Sequence, residues 1–546
     1  MQNFGTANEI IHKAFAFHSK GNIGEASKYY QSFIDKGFKD ERVFSNYGVI
    51  LKDLGKLKKA ELYMRKAIEI NPDYAEAYFN LGNILKDVDK LLDAETCYRN
   101  AIEINPVLAE AHSNLGTILK NLGKLKEAEV SIRKAIEINP DYAEAYFNLG
   151  NILKDVDKLL DAETCYRKAI ALNPDFANAH LNLGSILKDL GKLKEAELST
   201  RKAIQLNPDC AQAYYSLSTL KISGNNKIWR NKLFSKNFLN NKSRKDKVNI
   251  YFAKANILHR ESNFTESYKY LELANNLKKN INPTNVKYLL NKSKKLLLEL
   301  KEELIDKKEF LNYPKSIFIL GMPRSGSTLL ESILSMNSNV DDLGEKNIFE
   351  KSFLKWKTSE KSTTLAELYL DQINIYSSEL RTTTNKYLYN YQYAGIIARD
   401  IPKAKIIHCY RNPLDNILSI YRANFARQNE YSTILVDCAK VYLDQEEIMN
   451  QYKKRFRSKI YDLNYDSLVR NPSQEIKSLI TWLGWKWDDK YLSPHLNPRS
   501  VSTASSVQVR SPINSTSIGG WKNYKKMLKP AMEIITQNDK YKYLNY

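Results

Sequence analysis

The chain has 546 residues, 43% hydrophobic and 27% charged, with 83 Lys+Arg against 62 Asp+Glu for a formal charge of +21. That hydrophobic share excludes a wholly disordered chain, and the length suits more than one core at roughly 100–200 residues each. Residues 1–220 sum to about −1, 221–310 to about +12 and 311–546 to about +10, so regions of different chemistry are joined in one chain.

No apolar run approaches the roughly 18 residues of a membrane span, and the opening MQNFGTANEIIHKAFAFHSKGN lacks an uninterrupted apolar core for a signal peptide. The expectation is a soluble, cytoplasmic protein. Cys97, Cys165, Cys210, Cys409 and Cys438 include no CxxC pair, which points to neither a disulfide framework nor a zinc site. Cys97 and Cys165 stand in identical surroundings and read as one packing slot used twice.

Asn-Pro recurs at Asn71, Asn105, Asn139, Asn173 and Asn207, a constant step of 34 residues. Gly82, Gly116, Gly150 and Gly184 keep step with it, as do Ala94, Ala128, Ala162 and Ala196, and Ala67, Ala101, Ala135, Ala169 and Ala203. Small residues at such positions let two antiparallel helices approach closely, and proline ends one pair before the next. Each unit is predicted as helix, short turn, helix. The period, the Gly and Ala slots and the late proline resemble the tetratricopeptide repeat: residues 41–210 obey the pattern, and a looser unit at 7–40 retains Ala26. Residues 71–98 and 139–166 are identical, as after duplication of a two-repeat block. Asn80, Asn114, Asn148 and Asn182 recur on the first helix of each unit, a row that can either hydrogen-bond a peptide backbone or solvate the groove.

The stretch at 221–246, KISGNNKIWRNKLFSKNFLNNKSRKD, is basic and rich in Asn but has no nucleic-acid-binding motif, so a solvated helix face accounts for it. Helical periodicity returns over 247–309, with Ala253, Ala255, Tyr268 and Leu271 marking a degenerate hairpin ahead of a Lys/Leu/Glu helix.

Residues 313–320, YPKSIFIL, predict a buried strand. It runs into GMPRSGSTLLESIL, where Gly321 and Gly326 frame a tight loop and Ser327 to Leu334 continue with helical spacing. Strand, glycine loop and helix make an anion site, since free amides and the positive end of the helix dipole face a phosphate. The spacing imitates a Walker A loop, but Ser327 stands where the lysine should follow Gly326, which disfavours ATP-dependent phosphoryl transfer. Arg324 supplies the loop's charge, and its planar fork can clasp a phosphate without a metal.

PRSGSTLLESIL resembles the 5′-phosphosulfate loop of sulfotransferases that use 3′-phosphoadenosine 5′-phosphosulfate (PAPS), and AKIIHCYRNPLDNILSIYRANF at 404–425 resembles their 3′-phosphate site. The resemblance implies that Arg324, Ser325, Gly326, Ser327 and Thr328 hold the 5′ side, and that Arg411 and Ser419 grip the 3′-phosphate. It further implies Glu345 as the general base for an acceptor hydroxyl and Lys386 as the group that neutralises the transferred sulfuryl group. For Glu345 the alternative is an acid favouring the next helix's first turn; for Lys386 it is a solvated lysine. TASSVQVRSPINSTSIGGWKNYKKML resembles the loop that closes over the nucleotide, with Ser505, Ser506 and Arg510 as phosphate or sugar contacts and Trp521 as an anchor. Gly520 and Ala423 depart from the tyrosylprotein sulfotransferase pattern, which has basic residues there; Lys522 and Arg422 are the neighbouring substitutes. His408 and His495 read as structural.

The fold class expected is α plus α/β. A tetratricopeptide solenoid (1–220) leads through a basic helical connector (221–310) to a P-loop-like α/β sulfotransferase domain (311–546) with a mostly parallel central sheet. The order resembles the bacterial tetratricopeptide-repeat sulfotransferases. The expected partners are PAPS, a peptide, glycan or metabolite acceptor, and a protein in the repeat groove, with no nucleic acid and no metal. The alternative is a repeat scaffold with a degenerate transferase domain.

Overall fold

A computed structural model describes residues 6–220, 227–300, 313–359, 363–374, 381–425 and 428–545. The chain divides into two compact units, one ending at residue 186 and one running from 187 onward. Parts of the basic stretch (221–226) and of the Lys/Leu/Glu segment (301–309) lie outside the described residues.

The first unit is built of helical hairpins in which a 13-residue helix is followed by one of 13 or 14 residues, as in Ala75–Asp87 with Leu91–Ile104 and Ala109–Asn121 with Leu125–Ile138. The Asn-Pro step works through both residues. Asn71 and Asn139 are extended, the conformation a following proline imposes, and end the second helix; their Oδ1 atoms accept from the amides of Asp73 and Asp141 at 3.1 Å. The glycine slot is a close approach: a Cβ on Gly82 would lie 2.7 Å from the Tyr98 ring, and one on Gly116 2.3 Å from Ile132. The asparagine row is used between repeats. Asn114 Nδ2 donates to Asn83 Oδ1 (2.9 Å), Asn148 Nδ2 to Ser113 Oγ (3.3 Å) and Asn182 Nδ2 to Asn151 Oδ1 (2.8 Å), so these amides staple each unit to the one before it.

In the second unit the expected degenerate hairpin is formed by Arg244–Arg260 and Phe264–Ile281. Its Phe252, Ala255, Leu271 and Ala274 share one core with Met322, Leu414, Ile417, Trp521 and Leu528. His259 belongs to this junction, hydrogen-bonded through Nδ1 to the Tyr524 hydroxyl (2.9 Å) and stacked on its ring. Burial, helped by the charges of Arg422 and Arg260, pushes its imidazole down to about 3. A base with a folded pKa below its unfolded value of about 6.5 is protonated first in the unfolded chain, so stability held above about pH 6.5 is lost as pH falls toward 3. Unfolding midpoints should therefore drop between about pH 6.5 and 4, and His259→Gln should flatten that slope. Chemical denaturation across this range checks it; an unchanged slope in the variant removes His259 as the cause.

Five strands form a parallel sheet in the order β2-β3-β1-β4-β5: β1 Ser316–Gly321, β2 Val340–Asp342, β3 Thr382–Asn385, β4 Ala404–Tyr410 and β5 Ile460–Asn464. All of β1 is buried, as its unbroken apolar run predicts, and its side chains alternate between two cores. Phe318 and Leu320 pack with Phe349, Ile396 and Met449 on one face; Ile317 and Ile319 pack with Leu330, Ile333 and Leu479 on the other. The chain leaves β1 for neighbours on both sides, which opens a crevice at the strands' C-terminal ends. Among the described residues no helix is long and apolar enough to cross a membrane, and no group of three His, Cys, Asp or Glu is placed to hold a metal.

Candidate active site

Four strands bring a candidate side chain to their C-terminal ends: Arg324 lies just past β1, Glu345 past β2, Lys386 directly after β3 and Arg411 directly after β4, while Tyr465 and Asp466 follow β5. The helix Ser327–Leu334 starts at Gly326, whose φ of +96° and closeness to the Tyr465 ring, 2.3 Å from a Cβ placed there, both call for glycine.

Arg324 lies in the left-handed region, with a φ of +67°. Its Nε donates to Ser419 Oγ (3.0 Å) and its Nη1 to Ser505 Oγ, so the loop, the helix after β4 and the C-terminal loop meet on one side chain. Burial, with the charges of Arg411 and Arg422 added, lowers Arg324 to about 10. Arg422, the substitute named from sequence, thus adds to the positive field around Arg324. Arg411 lies over the Tyr465 ring (4.8 Å), donates to the carbonyls of Ser517 (2.8 Å) and Arg324 (3.5 Å), and has Asp415 and Asp466 at 3.9 and 4.0 Å. Two buried donors of these segments, Arg411 Nε and Ser325 Oγ, have no hydrogen-bond partner among the described residues. A cluster of neighbouring guanidiniums with spare donors suits a phosphorylated ligand.

The second group forms around Lys386. Its ammonium is fully buried between Glu345 Oε1 (3.0 Å) and Glu331 Oε2 (3.1 Å), with Thr328 Oγ1 at 3.4 Å. Burial alone would lower its pKa, but the two carboxylates outweigh this and raise it. The side chain of Glu345 is 51% exposed and turned to Lys386, and the following helix is preceded by Asn347. Lys386 is therefore no solvated surface lysine.

Arg324, Ser419, Ser505 and Arg411 come together as one group, and Glu345, Lys386 and Thr328 as the other. Ser327 and Ser506 are buried, with Ser506 N bonded to the Thr503 carbonyl (3.1 Å). Arg510 is turned elsewhere. Its guanidinium donates to the carbonyls of Asn497 (2.6 Å), Arg499 (2.5 Å) and Asp189 (3.2 Å), bracing the loop where the resemblance implied a nucleotide contact. His408 is buried in β4 between Asp462 (3.2 Å) and Gln445 (2.6 Å), in keeping with its structural reading.

Sequence reasoning missed Glu331, Arg499 and Asp415. Asp415 accepts from the amides of Gly519 (2.7 Å) and Trp521 (2.9 Å) and so pins the Gly-Gly-Trp segment to the helix Pro413–Tyr421. Glu331 and Asp415 shared one signal: each is the sole charged residue of a short helix that is otherwise made of apolar and small or neutral polar residues.

A parallel sheet with this loop after its first strand, following helical repeats in the chain, is consistent with a sulfotransferase domain, and comparison with known proteins agrees. The model described as "Sulfotransferase family" matches residues 314–365 and 355–489. Tetratricopeptide-repeat models match 48–88, 75–107, 109–142, 143–176 and 177–210. Residues 314–489 thus match the sulfotransferase family, and residues 48–210 match the tetratricopeptide repeat.

Among its relatives, a protein of Aquifex aeolicus is 32% identical over 264 residues, 44% of this chain and 35% of that one. A putative protein-tyrosine sulfotransferase of Caenorhabditis briggsae is 23% identical over 38% of this chain and 81% of its own length. For protein-tyrosine sulfotransferase 2 of Gallus gallus the values are 23%, 38% and 62%. The chain thus spans about a third of the length of the Aquifex relative. Among solved structures, YrrB, a TPR protein with an unusual peptide-binding site, aligns with 35% of this chain and 98% of its own at 24% identity and a TM-score of 0.30.

Proposed function

We propose that the protein transfers a sulfuryl group from PAPS to an acceptor hydroxyl, releasing 3′,5′-bisphosphoadenosine. The observation that carries this reading is the meeting of two anion grips, the loop after β1 and the strand end of β4, through Arg324, Ser419 and Arg411. A nucleotide with phosphate on both ends of its ribose needs both.

In this reading the 324–328 loop holds the 5′ side, Arg411 and Ser419 hold the 3′-phosphate, and Ser505 and Ser506 line the closing loop. Glu345 takes the acceptor proton as the acceptor oxygen attacks sulfur; the sulfur–oxygen bond to the phosphate breaks and Lys386 meets the charge left on that phosphate. We place this reaction in the cytoplasm, in keeping with five cysteines that all stand free. The names of the worm and chicken relatives support an acceptor hydroxyl on a peptide, which the repeats would present.

A labelled-PAPS assay against peptide, glycan and metabolite pools, with the product identified by mass, tests the function; absence of transfer to any pool refutes it. A truncation pair tests the role of the repeats. The loop that carries Ser505 is tied to Asp189, whose carbonyl accepts from Val501 N (2.8 Å) and Arg510. Removing residues 1–176 should leave bisphosphate affinity intact, while removing 1–210, which takes Asp189 away, should weaken it several-fold. Turnover on a macromolecular acceptor should fall in both. Equal bisphosphate affinity in the two truncations would detach Asp189 from the site.

A further inference from the structure

The two carboxylates on Lys386 are not equivalent. Glu331 is 1% exposed, and its Oε2 accepts from both Lys386 Nζ (3.1 Å) and Arg499 Nη2 (3.0 Å). Arg499 pairs through Nη1 with Asp342 at the end of β2, and Arg510 holds the Arg499 carbonyl. Glu331 cannot turn away without breaking two ion pairs. Glu345 has a half-exposed side chain joined to Lys386 at 3.0 Å. Once Glu345 leaves Lys386 to meet an acceptor proton, a buried ammonium with only Thr328 beside it would be an uncompensated charge, a strongly unfavourable state. A second, immobile carboxylate removes that penalty.

We propose that Glu331, braced by Arg499, is a positioning residue that holds the Lys386 ammonium at the transfer site while Glu345 turns to the acceptor. The charged and titratable groups facing Lys386 are Glu331 from the loop helix, Glu345 from the turn after β2 and Cys409 from β4, with Arg499 and Asp342 behind Glu331. Its role in turnover rests on the sulfotransferase reading; its effect on Lys386 does not.

The test is a pH titration of Lys386 in the full-length protein without nucleotide, by heteronuclear NMR of isotope-labelled lysine with Lys386→Arg assigning the signal, alongside pH–rate profiles with PAPS. Glu331→Gln should lower the Lys386 titration by about one unit or more, the size of effect an adjacent opposite charge exerts. It should also move the alkaline limb of kcat to lower pH, with little change in KM for the donor. Glu331→Asp, which keeps the charge, should restore the titration. Arg499→Gln, which removes a positive charge but leaves Glu331, should shift Lys386 upward while kcat falls, and it carries the test if Glu331→Gln does not fold. An unchanged Lys386 titration in Glu331→Gln, a larger drop in Glu345→Gln, or a downward shift in Arg499→Gln overturns the proposal. Wild-type protein that transfers nothing from PAPS refutes the functional reading, and the NMR titration still decides the place of Glu331.

Discussion

Replacing Glu345 by glutamine is expected to lower kcat about 10²–10⁴-fold, the range for loss of a general base, with bisphosphate affinity little altered. The substitution keeps the shape of the side chain and removes its capacity to take a proton. Fold loss is not expected, because the Glu345 side chain is half exposed and Lys386 retains Glu331 at 3.1 Å. The backbone at this turn is held independently, by Lys386 N to the Gly344 carbonyl and Leu343 N to the Thr384 carbonyl, both at 2.9 Å. Steady-state kinetics with PAPS, paired with calorimetric binding of 3′,5′-bisphosphoadenosine, separates chemistry from binding. Near-normal turnover would leave Glu345 as no more than an ion-pair partner of Lys386. A collapse in nucleotide affinity would mean that it organises the phosphate loop.

Arg411→Ala should weaken bisphosphate binding by about 1.5–3 kcal/mol, roughly 10- to 150-fold, as for loss of a charge-assisted contact. AMP, which lacks the 3′-phosphate, should lose much less. The fold should persist, since both neighbouring carboxylates keep other partners: Asp415 has the amides of Gly519 and Trp521, and Asp466 accepts from Asn412 N at 2.8 Å. Parallel titrations with the bisphosphate, AMP and ATP make the comparison. Equal losses for bisphosphate and AMP would show that Arg411 does not recognise the 3′ end, and equal wild-type affinity for the two would remove the two-grip reading altogether.

Local pattern carried much of this molecule and distance carried the rest. The 34-residue step, the helix from Ser327 to Leu334 and the strand ahead of Arg411 were legible because their signals are periodic and continuous. Arg324, Ser419 and Lys386 were legible because their motifs are contiguous. Glu331, Arg499 and Asp415 were not, because each earns its place through a partner more than 40 residues away: Lys386 for Glu331, Glu331 for Arg499, and the Gly519–Trp521 amides for Asp415. Arg510 sits within a recognisable loop, yet where its guanidinium points is decided by carbonyls at 189, 497 and 499, one of them contributed by a repeat. The asparagine row shows the same limit: its spacing identified a shared face, while the direction of each amide depended on the unit before it.

The turn between the two helices of each repeat has consequences for how such a chain can grow. Its left-handed position is filled by Gly55, Asp89, Gly123, Asp157 and Gly191, with φ between +61° and +80°. Aspartate therefore serves as well as glycine at two of the five. At Gly191 it does not: a Cβ there would lie 2.6 Å from Arg510 Nε, whereas nothing lies within 4 Å of one placed on Gly55 or Gly123. Units bearing aspartate in this turn, such as the identical blocks around 89 and 157, are interchangeable with one another, but at position 191 their side chain would have to displace the Arg510 guanidinium from the carbonyls it holds. The turns at Gly55 and Gly123 thus leave room for exchange or insertion of whole repeats, whereas the turn at Gly191 is matched to the loop that carries Arg510.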